Sequence, residues 1–239
     1  MLLDEPIHMR LLDKKKRLNQ IRPLPPEILR KLHQQFQIEY TYHSNAIEGN
    51  TMTLRETQLV LEEGITVGGR TLREVQEVKN HPQALEFIEE LSQRGLNEHD
   101  IFVLHSIAMK DIEREPGRYR TGEIRITGSK HIPPPAYEVP SLMQDLLRWL
   151  NSNEDELRPV ELAAVFHHKF VHIHPFHDGN GRIARLLTNM ILLRHGYPPI
   201  VIQKQERKQY YSYLSQADRG NYQPFVKFIA QAVERALDL

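Results

Sequence analysis

The segment from His174 to Arg185, HPFHDGNGRIAR, holds a histidine, a carboxylate, a glycine-rich turn and two arginines within twelve residues. The turn Gly179-Asn180-Gly181 can bend the backbone into a concavity of N–H groups, and the positive end of a following helix adds attraction for an anion. Arg182 and Arg185 are three residues apart, so both guanidinium groups can hold phosphate oxygens from one side of that helix. The segment therefore predicts a polyphosphate site.

A metal ligand and a proton acceptor accompany the turn. Asp178 offers the hard oxygen that Mg²⁺ or Mn²⁺ binds while the ion keeps other positions for water and phosphate. His174 precedes Pro175, which predicts extended backbone at the histidine, and Phe176 is expected to anchor the loop in the core. The ordinary pKa of a histidine, about 6.5, suits a general base acting on a hydroxyl. Together these residues predict transfer of a phosphate-containing group to a hydroxyl or to water.

Three other interpretations of this region stay open. The region contains four histidines, His167, His168, His172 and His177, which suggest a multi-histidine zinc site, although no HExxH-like pairing accompanies them. The pair His177-Asp178 also occurs in metal-dependent phosphohydrolases of the HD class, but that class does not account for the glycine turn and its arginines. A nucleotide-binding regulator without catalysis is the third.

Composition excludes several functions. The 31 Lys and Arg balance the 31 Asp and Glu, so no overall charge favours nucleic acid or an anionic membrane. The absence of cysteine excludes disulfides, thiolate nucleophiles and cysteine-ligated zinc. No apolar run approaches the roughly 20 residues that span a bilayer, and the first residues lack the features of a signal peptide. We expect a cytoplasmic protein that binds neither nucleic acid nor membrane.

The elements that must position these residues are predicted to be helices, so the fold class is all-α. Apolar residues at three- and four-residue spacing indicate a helix from Pro26 to Gly49, and Thr-x-x-Glu capping boxes at Thr53 and Thr71 indicate two more. Pro82 predicts a kink or break in the last of these. We divide the chain into an N-terminal helical region, residues 1–95, and a core, residues 96–239.

In the core, Pro159 is expected to open a helix that leads directly into the phosphate motif, and the motif in turn opens a helix ending near Gly196. Residues 117–135 differ, because glycines, prolines and an alternating segment surround Gly128-Ser129. This stretch, which we call the flap, is predicted to be a two-stranded hairpin lying on the helical body. Its candidate contact residues are Ile124, Arg125, Ile126, His131 and Ile132.

A lone carboxylate lies far from the motif in sequence, in the segment Ser44-Asn45-Ala46-Ile47-Glu48-Gly49-Asn50. Ser44 and Glu48 are one turn apart at the end of the predicted helix 26–49. Glu48 is therefore a candidate partner for one of the motif arginines.

The segment from His174 to Arg185 resembles the signature of the Fic (Fido) family, His-Pro-Phe-x-(Asp/Glu)-Gly-Asn-(Gly/Lys)-Arg-x-x-Arg. Every defined position of that signature is matched. The resemblance extends from about Tyr40 to the C-terminus and is strongest to the branch with animal Fic-domain adenylyltransferases. The segments that carry it outside the motif are Gly117-Arg118-Tyr119-Arg120, His131-Ile132-Pro133-Pro134, Tyr197-Pro198-Pro199-Ile200 and Tyr210-Tyr211. Ser44-x-x-x-Glu48-Gly49 resembles the family's inhibitory motif.

The resemblance implies a Fic-type helical bundle that transfers AMP from ATP to a Ser, Thr or Tyr hydroxyl of a target protein, with the chain itself among the candidates. It implies that His174 is the base, that Asp178 holds Mg²⁺ and that the flap pairs with the target's backbone. The nucleotide would be bound by Gly179, Asn180, Gly181, Arg182 and Arg185. Tyr210 and Tyr211 either lie by the adenine or are core tyrosines, and Asp218 stands where relatives have an adenine-contacting Asn.

The resemblance also implies a restraint. Glu48, with Ser44 and Gly49, would pair with Arg185 and take the place of the γ-phosphate. The same glutamate could orient water to remove AMP from a modified protein, and both reaction directions stay open. A homodimer is expected if Leu72 belongs to its surface, whereas a core position for Leu72 is the alternative.

Overall fold

The computed structural model describes residues 2–126 and 131–238, and over these residues the chain is helical without any strand. Two 3-10 turns, Ala136–Glu138 and Lys204–Glu206, precede α6 and α9. None of the described helices combines the length and the apolar composition required to cross a bilayer. The α-helices are α1 Glu5–Ile21, α2 Pro26–Ile47, α3 Leu54–Glu63, α4 Leu72–Ser92, α5 Glu98–Ala108, α6 Val139–Asn153, α7 Pro159–Ile173, α8 Asn180–Arg194, α9 Arg207–Ala217 and α10 Gln223–Leu237.

Local sequence signals set the helix starts of the N-terminal region. Proline opens α2, and complete capping boxes at Thr53 and Thr71 open α3 and α4. The chain does not break at Pro82, because α4 continues through it to Ser92. Leu72, at the start of α4, is 89% exposed, so its alternative assignment to the core is wrong.

The centre of the fold is α8. Every residue of this helix from Arg182 to Leu192 is buried, which is the pattern of a helix surrounded by others. One apolar cluster extends from α7, α8 and α10 to Leu11 of α1 and to Tyr40 and Ile47 of α2. Helices α1, α2 and α4 therefore share one core with α8, whereas Val60 of α3 packs in a second cluster with Val75 and Val78 of α4. The end of α2 is thereby held close to the start of α8.

The predicted hairpin of the flap is wrong for the described residues. Neither 117–126 nor 131–135 contains a strand, and the expected turn residues Gly128 and Ser129 lie outside the described part of the chain. The buried Arg120 accounts for the difference. Its guanidinium donates to the carbonyl of His174 in the motif loop, at 2.8 Å, and to the carbonyl of Pro134 in the second limb, at 2.5 Å, so a buried side chain joins the two limbs to each other and to the loop.

Candidate active site

The motif forms the loop between α7 and α8. His174 closes α7 in a left-handed conformation, with φ 53° and ψ 62°, and its N–H donates to the carbonyl of Phe170 at 3.0 Å. The extended backbone predicted from Pro175 is therefore wrong, because the residue that terminates the helix turns the chain in the left-handed region. Phe176 is fully buried and stacks on His105 with ring centroids 3.8 Å apart, which confirms it as the anchor of the loop.

The protonation of His174 follows from its surroundings. Its Nδ1 lies 3.2 Å from the carbonyl oxygen of Val171, and a carbonyl only accepts, so Nδ1 carries the proton and Nε2 keeps the lone pair. Burial lowers the pKa of His174 to about 4, so the ring is neutral at pH 7. A neutral ring with this tautomer can take a proton at Nε2.

Asn180 and Gly179 shape the turn at the start of α8. The amide of Asn180 bonds twice to the backbone of Phe176, since Oδ1 accepts at 2.9 Å and Nδ2 donates at 2.8 Å. Its side chain thus holds the loop against the start of α8. Gly179 has φ +76°, and a Cβ there would come within 2.8 Å of the sulfur of Met109, so both the conformation and the space require glycine.

The Glu48 carboxylate lies against this turn, with Oε1 2.7 Å from Nη2 of Arg185. Ser44 adds two acceptors for Arg185, its hydroxyl at 3.0 Å and its carbonyl at 2.9 Å. A Cβ on Gly181 would overlap the same Oε1. Gly49 turns the chain out of α2 with φ +105°. The expected contact between Glu48 and Arg185 is therefore present, and the carboxylate fills the space beside the glycine turn, residues 179–181.

The two motif arginines are buried charges that need anionic partners. Burial acts to lower the pKa of Arg185, but the charge of Glu48, together with smaller contributions from Tyr210, Tyr40 and Tyr211, raises the pKa above its ordinary value. Nη1 of Arg185 and Nε of Arg182 are nevertheless buried without a hydrogen-bond partner among the described residues. These unmatched donors beside a glycine turn fit an anion with more oxygens than one carboxylate, as a polyphosphate has.

Two residues of α4 that the sequence analysis missed contact the motif. Glu77, which is 7% exposed, has Oε1 3.1 Å from Nη1 of Arg182, and its Oε2 accepts from Asn50 at 2.9 Å. Arg73 pairs with Asp178. The two are four residues apart and pair with each other, a spacing common on exposed helices, so the sequence holds no signal that distinguishes them. Only the packing of α4 on α8 shows their connection to the site.

Asp178 is the one motif carboxylate, and its side chain is 42% exposed. Burial acts to raise its pKa, but the charge of Arg182, the N–H of Gly179 and the charge of Arg73 together lower it. An ionised, partly exposed oxygen donor beside a phosphate cradle fits Mg²⁺, which keeps several positions for water and phosphate.

Tyr210 and Tyr211 occupy different environments. Tyr210 is buried, and its hydroxyl lies 2.8 Å from Nε2 of His167, whose Nδ1 is 2.8 Å from the hydroxyl of Thr188. Tyr211 is 38% exposed, with the guanidinium of Arg207 5.1 Å from its ring centre. The first is a core tyrosine in a polar chain, and the second stays the candidate for contact with a base.

Three of the remaining candidates meet at Asp218. Its Oδ1 is 2.9 Å from Nε2 of His168 and 3.1 Å from Nδ1 of His172, and the ring of His131 lies 4.0 Å from that of His172. His177 is exposed and His167 is in the core, so the four histidines noted in sequence do not converge. The other flap candidates lie at or near the surface: Ile132 is 71% exposed, and Ile124, Arg125 and Ile126 are partly or wholly exposed.

Comparisons with known proteins agree with this geometry. Residues 95–192 match the model of the Fic/DOC family. The chain is 42% identical over 215 residues to the protein adenylyltransferase Fic of Drosophila melanogaster, covering 88% of this chain and 43% of that protein. The chain thus spans less than half the length of the curated relatives it matches.

Two solved structures match over nearly the whole chain. A Fic-domain-containing signalling protein from Bacteroides thetaiotaomicron is 35% identical, with a TM-score of 0.89 over 97% of this chain and 95% of that one. Residues 134–508 of Fic-1 from C. elegans are 32% identical, with a TM-score of 0.85 over 97% of this chain and 71% of that one.

Proposed function

Because the chain belongs to the Fic/DOC family, we propose that it transfers AMP from ATP to a Ser, Thr or Tyr hydroxyl of a target protein and that Glu48 restrains this reaction. The proposal depends on the position of the Glu48 carboxylate, which lies 2.7 Å from Arg185 and against Gly181. It is the position that the outer phosphates of a nucleotide would need if the start of α8 binds a triphosphate.

The residues of the loop account for each part of the reaction. Nε2 of His174 accepts the proton of the target hydroxyl as its oxygen attacks the α-phosphorus, and the bond to the pyrophosphate oxygen breaks. The N–H groups at the start of α8 stabilise the charge on the α-phosphate, and Arg182 and Arg185 hold the outer phosphates. Asp178 would hold Mg²⁺, which neutralises phosphate charge when bound.

The restraint is a competition for one guanidinium. Glu48 and the γ-phosphate both need Arg185, so ATP binds poorly, or with its α-phosphate misaligned, while Glu48 stays in place. A hydrogen bond to a charged group contributes about 1.5–3 kcal/mol, which suppresses the competent state by roughly ten- to a hundredfold. Such a contact is weak enough for a partner or a conformational change to release.

The experiment is incorporation of labelled AMP from ATP into proteins of a cell lysate and into the chain itself. Glu48→Gly should raise the incorporation, and His174→Ala in the same background should abolish it. Mass spectrometry should find an added AMP on a hydroxyl side chain. Release of nucleotide or phosphate without labelled protein would instead indicate a metal-dependent phosphohydrolase, and no rise in labelling would remove the restraint from the proposal.

A second candidate is removal of AMP from a modified protein by the same site. The Glu48 side chain is 29% exposed at the cradle, so its carboxylate can reach a water molecule there. In this role Glu48 orients the water that attacks the phosphorus, and Glu48→Gly should abolish release of AMP while it raises addition. A Glu48→Gly variant that releases AMP like the wild type would exclude the second role, and one that also adds AMP no faster than the wild type would exclude both roles of Glu48.

The homodimer also remains a proposal. It is supported by the exposure of Leu72, whose side chain has no place in the core of one chain. Sedimentation of the wild type against Leu72→Asp tests it, since only the wild type should associate.

A further inference from the structure

A cluster of side chains outside the proposed proton transfer and phosphate binding lies beyond the motif loop, although its His131 and Asp218 are also candidates for contact with the target and the adenine. It contains His131 at the start of the second flap limb, His172 in the last turn of α7 and Asp218 immediately after α9. Each of the three offers a ligand atom, and these atoms lie within 4.8 Å of one another. Three elements distant in sequence therefore bring two imidazoles and a carboxylate to one point.

We propose that His131, His172 and Asp218 bind a transition-metal dication of the Zn²⁺ type, and that the ion fastens the second limb of the flap to α7 and α9. Two imidazoles and one carboxylate are a donor set that zinc uses in proteins with three protein ligands, the fourth position being left to water. Magnesium is a poor match, because imidazole nitrogen suits zinc, copper and nickel whereas Mg²⁺ prefers oxygen.

The spacing is close to what such an ion needs. With bonds of about 2.0–2.2 Å, tetrahedral ligand atoms are roughly 3.4 Å apart. The distance of 3.1 Å from Nδ1 of His172 to Oδ1 of Asp218 is already near that value, and the ligand atom of His131 lies within 4.8 Å of those of the other two residues. The side chains of His172 and Asp218 are 40% and 23% exposed, so small rotations can complete the site and an ion can enter from solvent.

His168 hydrogen-bonds the carboxylate of Asp218 and so orients it. Its side chain is 4% exposed, and its Nε2 lies 2.9 Å from Oδ1 of Asp218. Since the ionised carboxylate only accepts, the histidine donates and orients it. Ligating carboxylates in metal sites are commonly held by such a hydrogen bond. In the absence of a metal ion, His168 and His172 of α7 both hydrogen-bond Oδ1 of Asp218 and so stabilise its negative charge.

The test is titration of the whole chain with Zn²⁺ by calorimetry, in buffer with excess Mg²⁺ so that the oxygen ligands of Asp178 are occupied. Wild type should bind one Zn²⁺ per chain. Removal of an outer-shell partner costs about 10–100-fold in metal affinity, so removal of a ligand, in Asp218→Asn or His172→Ala, should weaken binding at least tenfold. The exposed histidine of α5 supplies the control, His99→Ala, which should bind like the wild type.

Two further measurements keep the outcome clear. Co²⁺ bound to the wild type should show visible absorption of a nitrogen-ligated, low-coordinate ion, and Asp218→Asn should lose it. Hydrogen exchange at the amides of His131 and Ile132, followed by NMR, should slow on addition of Zn²⁺ only when the three ligands are intact. Equal unfolding midpoints of the metal-free proteins establish that the variants fold.

Binding that survives both ligand substitutions, or that disappears in Asp178→Ala instead, would overturn the proposal, and so would the absence of stoichiometric binding to the wild type. These results do not depend on AMP transfer, so the failure of one proposal leaves the other standing.

Discussion

Replacing Glu48 by glutamine removes one charge from the site and changes little else, which makes it the sharpest test of the contact with Arg185. Glutamine keeps the length of the side chain and can still accept one hydrogen bond. Ser44→Ala is the companion change, since it removes only the hydroxyl that accepts from Nε of Arg185 at 3.0 Å and leaves the Ser44 carbonyl, at 2.9 Å from Nη2, in place.

The sizes of the two effects differ for a physical reason. Glu48 is the one carboxylate among these contacts of a guanidinium that is 2% exposed, and a hydrogen bond between charged groups contributes about 1.5–3 kcal/mol. Its replacement should tighten ATP binding roughly ten- to a hundredfold. The serine hydroxyl also bonds to the charged guanidinium, but it is neutral and its loss leaves two acceptors on Arg185, so Ser44→Ala should change ATP affinity less than Glu48→Gln does.

The assay is ATP binding at fixed Mg²⁺, followed by AMP incorporation under saturating ATP. Glu63→Gln on α3 is the matched control, an exposed glutamate remote from the site, and should behave like the wild type. Gly181→Ala tests the geometry from the other side, because its methyl group would overlap Oε1 of Glu48 and stand 3.1 Å from Nη1 of Arg185. It should displace the carboxylate and yet lower ATP affinity, even in the Glu48→Gln background.

Competition between Glu48 and the γ-phosphate for Arg185 would be refuted if Glu48→Gln left ATP affinity unchanged, or if Ser44→Ala had the larger effect on that affinity. Tighter ATP binding in Gly181→Ala would show that the nucleotide does not use the cradle.

Arg73→Ala removes an exposed partner of Asp178, so the Mg²⁺ concentration for half-maximal AMP transfer in an activated variant should fall, by up to about fivefold, since exposed pairs contribute at most about 1 kcal/mol. Arg120→Met removes the donor from the partly buried carbonyls of His174 and Pro134 and from the buried carbonyl of Ile173, so urea unfolding should show a loss of at least about 2 kcal/mol. The exposed Arg118→Met should change stability by less than about 0.5 kcal/mol. Burial lowers the pKa of His81 to about 3, so below pH 6.5 the unfolded chain binds a proton that the folded chain does not, and the free energy of unfolding decreases as the pH falls. His81→Phe should therefore reduce the stability lost between pH 7 and pH 5 by roughly 2 kcal/mol.

Each of these has a contrary outcome. An unchanged Mg²⁺ requirement would mean that Arg73 does not compete at Asp178, for which Arg55→Ala on α3 is the control. Equal stability of the two arginine variants would remove Arg120 from its structural role. A pH dependence that His81→Phe leaves intact would assign the acid sensitivity to other groups.

Much of the fold could be predicted because its signals are local. The capping boxes at Thr53 and Thr71 and the proline starts of α2 and α7 depend on residues within one turn, and all four begin helices as predicted. The flap was predicted wrongly because alternation in a short segment does not reveal a competing partner. Arg120 supplies that partner, since its guanidinium donates to the carbonyl of His174 in the motif loop and to that of Pro134 in the other limb.

The sequence by itself determined the chemical groups of the motif and their order along one loop and helix start, since residue types and spacing suffice for a cradle, a base and two arginines. The tertiary structure decided which groups meet. Ser44 and Arg185 are 141 residues apart, and only the packing of α2 and α4 on the buried helix α8 brings Glu48 to Arg185 and Arg73 to Asp178. Contacts of this kind depend on the three-dimensional path of the whole chain, which local spacing does not encode.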